Sequence, residues 1–481
     1  MSRQWFVVLT LLIVSSFLVG ACAQPTPEVK VVTKEVERVV TKEVEKIVKE
    51  TVVITKEVEK VVVATPTPIS QTKSEVVTVN WWATEKGRDT AATREMHFQL
   101  ARAFEKKHPN IKVALSLFPS RGFGTRVATA IAAGQGPDVW YHYYAPEIAD
   151  LGFLEDLTPY MEQDGITPEE LWFPIGRIRA RFKGHYYGVP RDATAGFIVY
   201  NKDIFDAAGV SYPESGWTFE DFRQKALALT DSDKGVWGAG AIIGSMGGLE
   251  WSPFSFNLGA DFVSPDGHQV VGYMDTPEAI HAFKIFMDLT REDKVTAPAG
   301  LQQQFGELVF LSGKIAMQSV STWEIPALTE KANFNWGVVE PPRFNESSNG
   351  IPWTDAYVYY VWSGSKVKDA AWELVKFLSG PEAAEIIAES RVWTPNSPQI
   401  WKETGLDKDP VWGVAWKELQ KPNAKVPNYL RSRYQWDCIQ PAFDNIWTRY
   451  VVNGENDLES IVKEETVKAQ KCLDENYGAQ K

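Results

Sequence analysis

VVTVNWWATEKGRDTAATREMHFQLARAFEKKHPNIKVALSLF, residues 76–118, changes its hydrophobic period twice. Val76–Trp82 is β-branched and aromatic, the composition of a strand. From Arg94 to His108 the apolar positions Met96, Leu100, Ala103 and Phe104 recur at three to four residues, the spacing of a helix with one buried face. Pro109-Asn110 ends that helix, and Ile111–Phe118 reads as a second strand. Beyond it, Thr125–Ala133 reads as a helix stopped by Gly134 and Gly136, and Asp138–Tyr141 as a third strand. This β-α-β-α-β order predicts an α/β fold with a mainly parallel sheet flanked by helices. Later helix starts are well marked. Thr167-Pro168-Glu169-Glu170 has an N-cap threonine, a first-turn proline and a capping-box glutamate. Thr276-Pro277-Glu278 repeats the device, and Trp217-Thr218-Phe219-Glu220-Asp221 opens another helix.

The 481-residue chain is long enough for two core-forming lobes after residue 75. Its formal charge of −12, with no basic block outside the repeats near the N-terminus, argues against nucleic acid as a partner. The six histidines make no HExxH or Cys/His cluster, so neither a metal site nor a cofactor is expected. There is no GxSxG elbow and no P-loop. The 19 tryptophans are unusual. An indole is costly to bury fully because its N–H needs a partner. Its flat face suits the C–H face of a sugar ring, which raises the odds of a carbohydrate site.

The N-terminus explains where such a site would work. Trp5–Val19 is an apolar run of fifteen residues, shorter than the roughly 20 of a membrane span. Arg3 precedes it and small residues close it, the layout of a signal peptide over residues 1–21. Val19-Gly20-Ala21-Cys22 resembles a bacterial lipobox, which makes Cys22 the lipidated residue; the plainer alternative is cleavage near Ala23. Each buried lipid CH₂ adds about 0.8 kcal/mol of anchoring. Residues 22–75 then carry the repeats Val31–Arg38, Val39–Lys46 and Val53–Lys60, with valines at helical spacing among lysines and glutamates. They read as a thin amphipathic helix, whose coiled-coil form would self-associate, or as a charged disordered spacer. Thr65-Pro66-Thr67-Pro68 completes a stalk that would hold the domain off the membrane.

Seven further stretches fall in a telling order. They are Phe104–Val113, Ala132–Val139 (AAGQGPDV), Ala149–Leu154 and Tyr187–Pro190, then Tyr200–Phe205 (YNKDIF) with Ala208-Gly209, Phe310–Met317 (FLSGKIAM) and Ala371–Leu378. In that order they resemble the extracellular solute-binding proteins of ABC importers, specifically the maltose-binding-like sugar group. The resemblance runs over nearly all of residues 76–478. It implies a two-lobed periplasmic-binding-protein-like fold of type II, each lobe a mainly parallel sheet flanked by helices, with a ligand cleft at the hinge. Lobe one is expected at about 76–190 and 341–362, and lobe two at about 194–338 with much of 366–481. It also implies a monomeric globular domain, a permease as partner and no catalysis.

Carried onto this sequence, the resemblance nominates cleft residues. They are Trp82 and Glu85 after the first strand, Tyr143 and Tyr144 after the third, and Arg191 and Asp192 in the first crossover, where a structural hinge ion pair is the rival reading. Lobe two would add Glu250, Trp251 and a stacking Trp323. Trp353 and Asp355 stand where the family often has a glycine-rich loop, and Arg431 and Trp436 lie in a late loop. Cys438 and Cys472 are either a disulfide or two buried thiols. A sugar or oligosaccharide is the expected ligand. An anionic or other small solute, such as a phosphorylated polyol, a polyamine or a metal chelate, is the alternative. A lipid-anchored polysaccharide-degrading enzyme is the remote one, and it would need two free cleft carboxylates.

Overall fold

In a computed structural model, the chain is described over residues 76–478, apart from 86–89, 121, 143–145, 241–251, 306–307 and 346–349. The signal peptide, Cys22 and the stalk lie outside the described residues.

The opening stretch forms β1 (Val77–Thr84), α1 (Thr90–Lys107) and β2 (Ile111–Phe118), followed by α2 (Phe123–Ala132) and β3 (Val139–His142). β1 and β2 pair in parallel from Val77 opposite Ile111 to Thr84 opposite Phe118. β3 joins the other side of β1, with Trp81 opposite Val139. The period of two along β1 sends Val79, Trp81 and Ala83 into one core with Met96, Leu100 and Phe104 of α1. Trp82 points to the other face, against Phe118.

The chain then builds β4 (Gly188–Pro190) and crosses to β5 (Thr194–Asn201). A second sheet follows from β6 (Trp237–Ala239), β7 (Ile315–Ser321), β8 (Trp336–Val339) and β9 (Thr354–Asp355), before β10 (Val358–Val361) returns to the first. The strand orders are β2-β1-β3-β10-β4 and β8-β5-β7-β6, with β9 paired to β5. All eight residues of β5 are buried, because both of its faces are covered by cores.

The mainly parallel expectation describes the first sheet, where β10 alone runs against its neighbours. It needs correction for the second. There β5 is antiparallel to β7, β8 and β9, and only β6 and β7 run parallel. The reason is connectivity: β5 enters from the other lobe through a crossover, so no β-α-β unit sets its direction.

Lobe membership also needs one correction. Helices α3 (Lys368–Leu378) and α4 (Pro381–Ser390), expected to lie largely with the second lobe, pack on the first. Trp372, Leu374, Val375, Leu378 and Ile387 share a core with Val79, Trp81 and Tyr359. The chain recrosses after α4, and Trp401 joins the core beneath β5. The final helices α5 (Gln440–Trp447) and α6 (Leu458–Gly478) cover the other face of the second sheet. A disulfide joins Cys438 to Cys472 and ties the Gln435–Ile439 turn to α6.

The marked helix starts behave individually. Thr218 and Asp221 form a full capping box, and Thr276 accepts from the Ala279 amide at 3.2 Å. Thr167 makes no side-chain cap at its four-residue helix.

Candidate functional site

Three segments pass between the lobes: Pro190–Thr194, Asp355–Val358 and Val392–Ser397. Backbone bonds lace them together. The Arg191 amide donates to the Tyr357 carbonyl at 2.8 Å, and the Ala193 amide to the Thr394 carbonyl at 3.3 Å. Asp192 bridges to Pro395, and the Asn396 amide side chain donates to the Pro190 carbonyl. The carboxyl ends of β1 and β3 lie at this junction. So does Trp323, two residues after β7. It is half-buried, leaves the second sheet and packs on the first lobe's core, 5.9 Å from the Tyr357 ring at 61°. Open α/β sheets bind ligands outside such strand ends.

The candidate residues do not all reach the cleft surface. Trp81 is fully buried and Trp82 half-buried. Trp82 meets Phe118 at 4.9 Å between ring centroids. Glu85 accepts from Arg94 at 2.6 Å, with 27% of its side chain exposed. Trp323 is described above, and Trp436 is 52% exposed on the turn held by the disulfide. Tyr143, Tyr144, Glu250 and Trp251 lie outside the described residues.

Four of the candidates are buried and held by neighbouring residues. Arg191 and Asp192 are buried and bonded to each other. Burial opposes the Arg191 charge, but Asp192, Tyr141 and Tyr359 outweigh it and raise the pKa. Its guanidinium lies 3.7 Å from the Trp393 ring centroid and 4.3 Å from those of Tyr141 and Tyr357. Asp192 also accepts from the Tyr357 amide at 2.8 Å. This is the hinge ion pair of the rival reading. Asp355 meets Arg179 at 3.1 Å, both buried. Trp353 is buried flat on β5. A Cβ on Gly196 would fall 2.4 Å from its ring, so only glycine allows that approach. An acid or indole beside a crossover strand is drawn inward here because an arginine or a glycine waits for it.

Arg431 lines a cavity of about 380 Å³ between the lobes, with Ile178 and Phe182 on one side and Asp261, Asp266 and Lys425 on the other. It donates to Asp261 at 2.9 Å and to the Val263 carbonyl at 3.0 Å. Burial raises the Asp261 pKa, and Arg431 opposes that rise. Trp323 and Trp82 do not line this cavity.

Sequence reasoning missed Arg179, Tyr357, Trp393 and Asp261. Tyr357 stood at the end of the Trp353–Tyr357 run and Tyr141 at the start of an aromatic cluster, which were usable signals. Nothing local marks Trp393.

Two lobes, three crossing segments and an aromatic side chain handed from one lobe to the other define a hinged binding protein. The model of the bacterial extracellular solute-binding proteins matches residues 91–385, and the chain belongs to that family. The chain is 25% identical over 364 residues to the maltotriose-binding protein of Pyrococcus abyssi, spanning 72% of this chain and 73% of that protein. It is 23% identical over 321 residues to the melibiose/raffinose/stachyose-binding protein of Bacillus subtilis, spanning 63% and 70%. Its fold matches an ABC substrate-binding protein from Listeria monocytogenes solved with cycloalternan. There the TM-score is 0.67 at 24% identity, with 84% of this chain and 100% of that one covered.

Proposed function

We propose that this chain is the substrate-binding receptor of an ABC import system, capturing a sugar or oligosaccharide by lobe closure and handing it to the permease. The observation that carries the reading is Trp323, a half-buried indole that leaves the second sheet and meets the first lobe at the hinge. A pyranose stacked there would touch both lobes and favour their closed arrangement, which is how a ligand shifts a two-state equilibrium. The relatives' names point to oligosaccharides. We read the receptor as non-enzymatic, in keeping with a family of binding proteins, and the pairing of Asp192 and Asp355 with arginines supports that reading. Lipidated Cys22 would tether it to the outer face of the cytoplasmic membrane.

Titration calorimetry tests the ligand. Maltotriose, melibiose, raffinose, stachyose and glycerol 3-phosphate should separate into a bound sugar and an unbound phosphate. Binding of glycerol 3-phosphate alone would move the reading to an anionic solute. Cys22→Ala should release the protein from membranes, and unchanged membrane association would remove the anchor.

A further inference from the structure

Arg191 and Asp192 lie at the meeting point of all three crossing segments. The first segment contains them. The second is bound through the Tyr357 amide and carbonyl, both within 2.8 Å of partners on Asp192 and Arg191. The third supplies Trp393 beneath the guanidinium and Pro395 beside Asp192. Tyr357 therefore has its backbone bonded to the pair and its ring under the guanidinium. The same ring carries Trp323 on its edge. We infer that the Arg191–Asp192 pair is a positioning element for ligand capture, setting the orientation of Trp323 through Tyr357.

The inference rests on the reading of Trp323 as a wall of the ligand cleft, but it makes a claim that ligand identity does not touch. A planar guanidinium fits between three aromatic faces and a carboxylate in a way an ammonium does not. Arg191→Lys keeps the charge and loses the flat contact with Tyr357. Tyr357→Leu keeps the ion pair and removes the ring between it and Trp323. Both should disturb Trp323, Arg191→Lys from the far side of Tyr357 and Tyr357→Leu as its direct neighbour.

The test labels the protein with 5-fluorotryptophan and identifies the Trp323 fluorine resonance by its loss in Trp323→Phe. In ligand-free protein, Arg191→Lys and Tyr357→Leu should each shift or broaden that resonance. Phe443→Leu, in the far core of the second lobe, should lower stability without moving it. With maltotriose as probe, Arg191→Lys should weaken binding about tenfold. Arg191→Lys combined with Trp323→Ala should bind no worse than Trp323→Ala alone, since one acts through the other. An unmoved Trp323 resonance in folded Arg191→Lys overturns the inference, as do additive losses in the double variant. If Arg191→Lys fails to fold, Asp192→Asn, which leaves the Tyr357 ring in place and weakens the ion pair, decides by the same resonance: an unmoved resonance overturns the inference. A wild-type protein that ignores every sugar defeats the ligand reading, and the resonance still decides the coupling.

Discussion

Two arginine–aspartate pairs of the same chemistry sit in opposite settings. Arg179 and Asp355 are 0% and 2% exposed, at the second crossover. Arg431 and Asp261 are 10% and 28% exposed, beside the cavity between the lobes. The first pair is locked in the junction that any lobe motion must pass through. The second lines open space. Contacts alone do not distinguish them, since each shows an N···O distance near 3 Å. What differs is where the charge would go if its partner were removed. At Asp355 burial shields the carboxylate from solvent, whereas Asp261 is partly exposed beside the cavity.

The largest effect should therefore fall at the crossover. Arg179→Met leaves the Asp355 carboxylate buried without its partner, a situation that costs about 3–5 kcal/mol. Chemical denaturation should show that loss. A change below about 1 kcal/mol would mean that the crossover opens to water and that the two pairs are alike after all.

A second variant sharpens the contrast. Replacing both partners, Arg179→Met with Asp355→Leu, removes the stranded charge together with the ion pair. Buried pairs replaced by apolar groups of similar volume are often neutral or better. The double variant should recover most of the stability lost in Arg179→Met. A double variant as unstable as the single one would show that Asp355 is needed for shape at β9, where it pairs with Thr194 on β5.

The difference between these pairs also marks what could be read from sequence. The β-α-β run was legible because its information is local: Val79, Trp81 and Ala83 alternate, and Met96, Leu100 and Phe104 recur at helical spacing. Boundaries followed closely, with β2 at Ile111–Phe118 as expected. Trp323 was nominated by the motif order alone, six residues after Met317. For Arg191 the sequence left a cleft contact and a hinge ion pair both open, because its burial depends on Tyr141, Tyr357 and Trp393, which arrive from three remote parts of the chain. The same holds for α3 and α4. Their amphipathic pattern says that they bury a face, and nothing in it says which lobe's sheet receives that face. The third crossing after α4 is a short segment with no shift in composition, so the chain's return to the second lobe leaves no local trace.

The smallest expected effect belongs to the cavity pair, and it is the one that depends on pH. Burial holds the Asp261 pKa above the ordinary carboxylate value even with Arg431 bonded to it. A carboxyl with a raised folded-state pKa favours the folded protein when protonated. That contribution is present below the unfolded value and is lost as pH rises through the folded one. Removing Arg431 takes away the group that opposes the rise, so the folded-state pKa climbs further and the ionised form is penalised more. Arg431→Met should accordingly cost about 1–2 kcal/mol near neutral pH, the scale of a hydrogen bond to a charged group. The deficit relative to wild type should shrink as pH falls toward the unfolded carboxylate value, where Asp261 is protonated in both states of the variant. Paired denaturation curves from about pH 8 down to about pH 4 would show it. A deficit that stays constant over that range would place the Arg431 contribution in its bond to the Val263 carbonyl and its contact with Phe256, leaving Asp261 out of it.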